Sequence, residues 1–239
     1  MATVPRMSNQ AAKSHIFRLA AWLSPAFPIG AYTYSSGLEY AIESKLVSDK
    51  SSLENWLADL IRIGSGAVDG SLFCLAHRAA IAGDRDTLGD LIEWADALRP
   101  TAELALESAA QGEAFLRTIR AAWPHDGIEM LAALSQNKKR KPAYAVTVGA
   151  TCGFHGIPLD DALLVFLHAL VANLVSAAVR IIPLGQTDGQ RVTAALESVI
   201  VDNIEMIRNR TLDELGSATP IIDWASMQHE TQYTRLFRS

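Results

Sequence analysis

Six histidines are the first candidates for metal or acid–base chemistry in this chain of 239 residues: His15, His77, His125, His155, His168 and His229. No two lie three or four apart, the spacings that set two ligands on one helix face. His229-Glu230 is followed by Thr231, Gln232 and Tyr233, so there is no HExxH zinc pair. Cys152 and His155 are three apart and could share a soft metal, but two ligands do not make a structural site. Asp160 and Asp161 are adjacent, so their side chains diverge, which suits helix capping better than general acid–base work. The glycines at 64, 66 and 70 lack the lysine and hydroxyl of a phosphate-cradling loop. His168 stands in an apolar run and reads as a core histidine. These residues make no catalytic set. Neither an enzyme nor a bound metal or cofactor is expected.

Polar residues concentrate elsewhere. In LGQTDGQR, residues 184–191, Gln186, Thr187, Gln190 and Arg191 exceed what a helix connection needs, and loops held by rigid helices often carry function. Residues 216–239 follow a Gly/Ser/Pro break and bring Trp224, Met227, Tyr233, Leu236 and Phe237 together with arginines, a mixture that protein contacts favour. A tail folded back onto its own bundle would explain the same composition. The basic run QNKKRK at 136–141 has no interleaved aromatics and reads as a solvated loop. With net charge −5 and a pI near 5.7, there is no basic footprint for nucleic acid.

The elements that must position these residues read as helices. Apolar residues make up 49% of the chain and charged residues 20%, an ordinary globular balance. Leu53, Trp56, Leu57, Leu60 and Ile61 form one apolar stripe, with Ser51 and Glu54 spaced as a capping box ahead of it. Helices are expected over 71–82, around 88–98, over 101–122 and, briefly, over 128–134. The GSGAVDG stretch at 64–70 either bends the chain or lets another helix approach closely. Gly149 and Gly153 suit a helix pressed on a neighbour, although Val146 to Val148 could pass for a strand. The longest apolar run opens with Asp160 and Asp161, closes near Arg180, and predicts a helix over about 159–182. An all-round apolar helix is a buried centre or a membrane span. His168, Asn173 and the absence of an aromatic belt favour the core. Asp188 then caps a long helix carrying Val192, Leu196, Ile200 and Ile207. No alternating strand pattern appears, so the fold class is all-α, a compact multi-helix bundle. It is read as a mobile polar lead-in at 1–15, one helical domain at 16–215 and a tail at 216–239. The lead-in has no apolar signal segment, and the two cysteines, Cys74 and Cys152, are unpaired in spacing. Both point to a reduced, cytoplasmic protein with no membrane association.

Four stretches share a resemblance. IPLDDALLVFLHALVANLVSAAVRIIPLGQTDGQR at 157–191 resembles the signature region of the urease accessory protein UreF family. LSPAFPIGAYTYSSGLEYAIE at 23–43 and DWASMQHETQYTRLFRS at 223–239 resemble that family's N- and C-terminal motifs. The match at 98–117 is looser and rests on Thr101, Glu103, Glu107, Gln111 and Gly112. The segment at 139–149 departs from the pattern by lacking a histidine near Pro142, which argues against a metal role there. The resemblance implies an all-helical, non-enzymatic urease maturation factor that forms a homodimer. It implies joining UreD (UreH in some species), recruiting the GTPase UreG, and so serving nickel insertion into apo-urease, with GTP hydrolysis open to modulation. A nickel-carrying metallochaperone is the alternative. The residues expected to face partners are Tyr32, Tyr34, Arg180, Gln186, Arg191, His229, Tyr233, Arg235 and Phe237, with Tyr32 and Arg235 foremost for UreG.

Overall fold

The computed structural model describes residues 9–239. The expected lead-in at 1–8 lies outside them, whereas 9–15 are helical and belong to α1 (Asn9–Trp22), which buries Leu19 and Trp22 and leaves Ile16 and Phe17 exposed. A loop and a 3-10 turn at Ala31–Thr33 lead to α2 (Leu38–Glu43). That helix starts no earlier than Leu38, because Ser36 and Gly37 both adopt left-handed backbone, φ 54° and 80°.

α3 (Lys50–Ile63) buries the predicted stripe. Its cap, however, is Asp49 rather than Ser51: Asp49 Oδ1 accepts the Ser52 N–H at 2.8 Å while Ser52 answers the Asp49 N–H. A carboxylate outcompetes a hydroxyl there because it also faces the positive end of the helix dipole. Both readings of the 64–70 stretch hold. Gly64 breaks the chain, and α4 (Ser65–Ala82) then runs through Gly66 and Gly70, where a Cβ on Gly70 would come within 2.7 Å of Ile207.

α5 (Arg85–Ala97) and α6 (Ala102–Ala122) follow, the latter capped by Thr101, whose hydroxyl accepts the Leu104 N–H. α7 (Asp126–Lys138) is longer than expected. His125 Nδ1 caps it by accepting the Gly127 N–H at 3.0 Å, and the helix absorbs the first half of the basic run. That run is therefore not a free loop. Lys138 reaches Asp90 and Glu93, Arg140 binds Asp96, and Lys141 binds Glu113.

α8 (Tyr144–Phe154) is helical despite its valines and packs on α4. Gly149 lies against the Phe73 carbonyl and Gly153 against that of His77, so the two backbones meet with no side chain between them. α9 (Leu159–Val179) carries Asp160 and Asp161 in its first turn as expected, but it ends before 182, with Arg180 as its C-cap. Leu163, Phe166, Leu167, Val171 and Leu174 fill the core from one face. It is the one described helix long and apolar enough to cross a bilayer, and half of its most apolar window is buried in the bundle.

α10 (Gln186–Asn209) starts earlier than Asp188 would allow: Gly185 is its N-cap, and Asp188 sits in the first turn paired with Arg191. The tail, for which no helix is predicted, contains α11 (Pro220–His229) with Pro220 in the first turn. Among the described residues there is no strand, and the fold is the all-α bundle the sequence predicts.

Candidate tail-docking site

α6 presents Glu103, Glu107 and Gln111 at i, i+4 and i+8, the first and last buried and Glu107 half-buried. Such a face can be buried only if partners arrive from elsewhere. They come from the tail. α11 turns Ile222, Ala225, Ser226 and His229 inward, again at i, i+3, i+4 and i+7. Ser226 bonds the Thr101 hydroxyl at 2.8 Å and packs over Gly37, which leaves no room for a side chain there.

His229 is the centre of the junction. It has 0% exposure, with Nδ1 2.6 Å from Glu103 Oε2 and Nε2 3.1 Å from Glu39 Oε2. The ring thus bridges two carboxylates, one on each nitrogen. Arg235 adds a guanidinium on Glu103 Oε1 at 2.7 Å, so two carboxylates are shared between an imidazole and a guanidinium. The spare capacity of Glu39 is taken by the backbone N–H groups of Leu236 and Phe237, at 2.7 and 2.9 Å. The end of the tail is fixed as a short pairing with the N-terminal motif. Arg238 N–H donates to the Thr33 carbonyl at 2.8 Å, and the Ser239 carbonyl accepts from both the N–H and the hydroxyl of Ser35.

Beneath this lies Glu107, which accepts from the Ser239 hydroxyl at 2.7 Å, from Ser36 and from Gln111. Burial pushes its carboxyl above its ordinary value of 4.5, against those donors and the nearby Arg99 charge. Arg99 is itself committed to Asp69 by two hydrogen bonds. Glu107 also floors a cavity of about 230 Å³ between the 23–32 loop, α6 and the outer face of α9, where His168, Asn173 and Ser176 line the opposite wall. His168 is thus exposed towards this cavity rather than held in the core.

The raised value of Glu107 sets a pH dependence. Between the ordinary and the folded value, the folded chain binds more protons than the unfolded one, so stability falls as pH rises through that window. Glu107→Gln keeps an acceptor and removes the titration. Its urea midpoint is expected to match the parent's below pH 4.5 and to exceed it progressively above. A difference independent of pH would show that Glu107 does not titrate in this way.

The structure brings some expected residues together and separates others. Tyr32 projects outward with 66% exposure, while its carbonyl accepts from Arg180 Nη2 at 2.8 Å. The Arg180 guanidinium lies 4.3 Å above the Phe237 ring, and Arg238 lies over Tyr34. Tyr34, His229 and Phe237 face inward and are buried. Arg235 is partly exposed beside Glu103, and Tyr233 stands fully in solvent. Gln186 and Arg191 are exposed at the start of α10, with no bond to this cluster. Glu39, Ser35, Ser36 and Ser239 were not singled out from sequence. The available signal was the acidic i, i+4 pair of α6, quoted above only as part of a motif.

Cys152 and His155 do not form a metal pair. The thiol is buried and raised far above its ordinary value, and His155 bonds Arg18 at 3.2 Å and packs on Trp22. Burial, Arg18 and His125 push His155 down to about 4.

The UreF family profile matches residues 47–197, more than half of the chain. This chain belongs to the UreF family. It is 48% identical over 235 residues to the urease accessory protein UreF of Rhodopseudomonas palustris (strain BisB5), covering 98% of this chain and 95% of that one. It is also 48% identical over 233 residues to UreF of Azorhizobium caulinodans, covering 98% and 99%, and 49% identical over 221 residues to UreF of Xanthobacter autotrophicus, covering 92% and 90%. Membership of the UreF family means a role in urease maturation, and the family is one of accessory proteins rather than enzymes. The tail-docking residues of this UreF-family chain lie at 32–39, 99–107 and 226–239. Of these, 99–107 falls inside the matched span 47–197, and the other two flank it.

Proposed function

We propose that this chain is a cytoplasmic, non-catalytic scaffold that joins UreD/UreH, recruits the GTPase UreG and so serves nickel delivery to apo-urease. The carrying observation is the docked tail. A segment remote in sequence is fixed by buried ion pairs so that Tyr32, Arg180, Tyr233 and Leu236 present one composite surface. A preformed surface loses little freedom on binding, which favours affinity. Tyr32, an exposed aromatic on a braced turn, is the natural anchor for UreG. Tyr233 and Leu236 are the natural contacts for UreD/UreH. Gln186 and Arg191, on the separate α10 terminus, belong to a second partner contact.

Co-purification with UreD/UreH and UreG tests this directly. Tyr32→Ala is expected to weaken UreG capture by roughly thirtyfold, the cost of one hot-spot residue, about 2 kcal/mol. Arg235→Ala weakens it by loosening the tail. Undiminished capture by both variants would remove the site assignment. Tight stoichiometric nickel binding by the isolated chain in equilibrium dialysis would favour the carrier reading instead.

The homodimer is assigned to the outer face of α9. Leu164, Val165, Ala169 and Ala172 remain exposed or half-exposed there in an otherwise buried helix. Small side chains allow close approach of a second copy. Sedimentation as a monomer at all concentrations would remove this assignment.

A further inference from the structure

On the far half of α6 an open groove of about 700 Å³ runs between that helix, α7 and the linker at 139–142. Arg117, Arg120, Lys139, Arg140 and Lys141 line it against only Glu113 and Glu129, in a chain whose net charge is −5. Arg120 is held by Glu129, Lys141 by Glu113 and Arg140 by Asp96 of α5. Arg117 and Lys139 have no ion-pair partner among the described residues. Leu116, Ala132 and Pro142 supply an apolar floor.

The geometry is fixed rather than incidental. Lys139 closes α7 in left-handed backbone, φ 51°, where a lysine costs about 1 kcal/mol more than a glycine would. The turn is locked by N–H groups of Lys139 and Arg140 on the Gln136 and Ser135 carbonyls, at 3.1 Å each. The chain then descends onto Gly112, where the Pro142 carbonyl leaves no room for a Cβ. The two unpaired cations therefore sit on a braced rim, and little ordering is needed to use them.

We infer that this groove docks an acidic segment of a partner polypeptide. The lining from Glu113 to Arg120 spans seven residues of helix, about 10 Å, which accommodates about three extended residues. Two carboxylates on that segment would meet Arg117 and Lys139, with apolar atoms between them against Leu116 and Ala132. A nucleic acid fits less well. Glu113 and Glu129 would repel a continuous row of phosphates, and no aromatic side chain lines the groove for base stacking. The groove lies apart from the docked tail and is independent of the partner assignments made there.

Fluorescence anisotropy with a short labelled glutamate-rich peptide, and with single-stranded DNA of matching charge, tests the inference on the full chain. The double variant Arg117→Ala, Lys139→Gly removes both free charges, and its glycine relieves the left-handed backbone, so misfolding does not confound it. Lys45→Gly is the matched control, an exposed lysine with φ 62° elsewhere on the surface. The parent and Lys45→Gly are expected to bind the peptide at low salt and to lose it as salt rises. The double variant is expected to bind about tenfold more weakly. Absence of peptide binding by the parent, equal binding by the double variant, or tighter binding of the DNA than the peptide would each overturn the inference.

Discussion

Replacing His229 with alanine is expected to release the tail while leaving the rest of the bundle folded. The ring is fully buried and stands between Glu39 and Glu103. Without it, two carboxylates face each other with one cation, Arg235, to share. Removing one partner of a buried charged group typically costs about 3–5 kcal/mol, most of it from the charge left behind. The cheaper response is to let water in, which means undocking residues 222–239. Hydrogen exchange of the Leu236 and Phe237 amides is the direct measurement, because both donate to Glu39. They should lose protection, while amides of α4 and α8 keep theirs. Tail amides that stay protected in His229→Ala would show that the apolar contacts of α11 hold it unaided. The substitution should also remove partner capture, since Phe237 would leave its place under Arg180.

The second large effect concerns glycine. In an open helix, Gly→Ala stabilises by up to about 1 kcal/mol. At Gly112 and Gly149 the sign should reverse. A methyl on Gly112 would run into the carbonyl of Pro142 and the backbone of Ala143, and one on Gly149 into the carbonyl of Phe73. Backbone cannot rotate away as a side chain can, so α6 must part from the 142–144 linker, or α8 from α4. Overpacking of this kind typically costs about 1–3 kcal/mol, and these contacts belong at or above the upper end. Gly89→Ala is the internal comparison, because its nearest neighbour is the flexible end of Lys138, at 3.3 Å. Thermal melts should rank Gly89→Ala at or above the parent and the other two well below it. A Gly149→Ala protein as stable as the parent would mean that the α4–α8 seam is looser than described.

How much of this was legible in the sequence depended on which residues fill the buried faces. Where they are apolar, as with Leu53, Trp56, Leu57, Leu60 and Ile61, periodicity gave the helix and its inner face directly. α11 escaped notice because two of its four inward positions are Ser226 and His229, which read as solvent-facing. The acidic face of α6 was hidden for the same reason. Carboxylates at i and i+4 ordinarily mark an exposed surface, and only the tail's cations make this one an interior. Helix ends were misplaced where two capping residues compete, as Asp49 and Ser51 do, or where glycine caps with no side chain at all, as at Gly185. Long-range ion pairs such as those of Lys138 and Arg140 with α5 have no local signature, so the basic run looked free.

The bond between Ser35 and Ser239 spans 204 positions of sequence. During synthesis it can form only after the intervening bundle has been made, and loops of that length close slowly. Until the tail emerges, Glu39, Glu103 and Glu107 can remain hydrated on a bundle whose α4–α8 centre is already formed. The surface carrying Tyr32, Arg180 and Tyr233 consequently matures after the core. A nascent chain, or one cut in the open stretch around Gly216, would hold a folded interior and yet lack the surface that the tail completes.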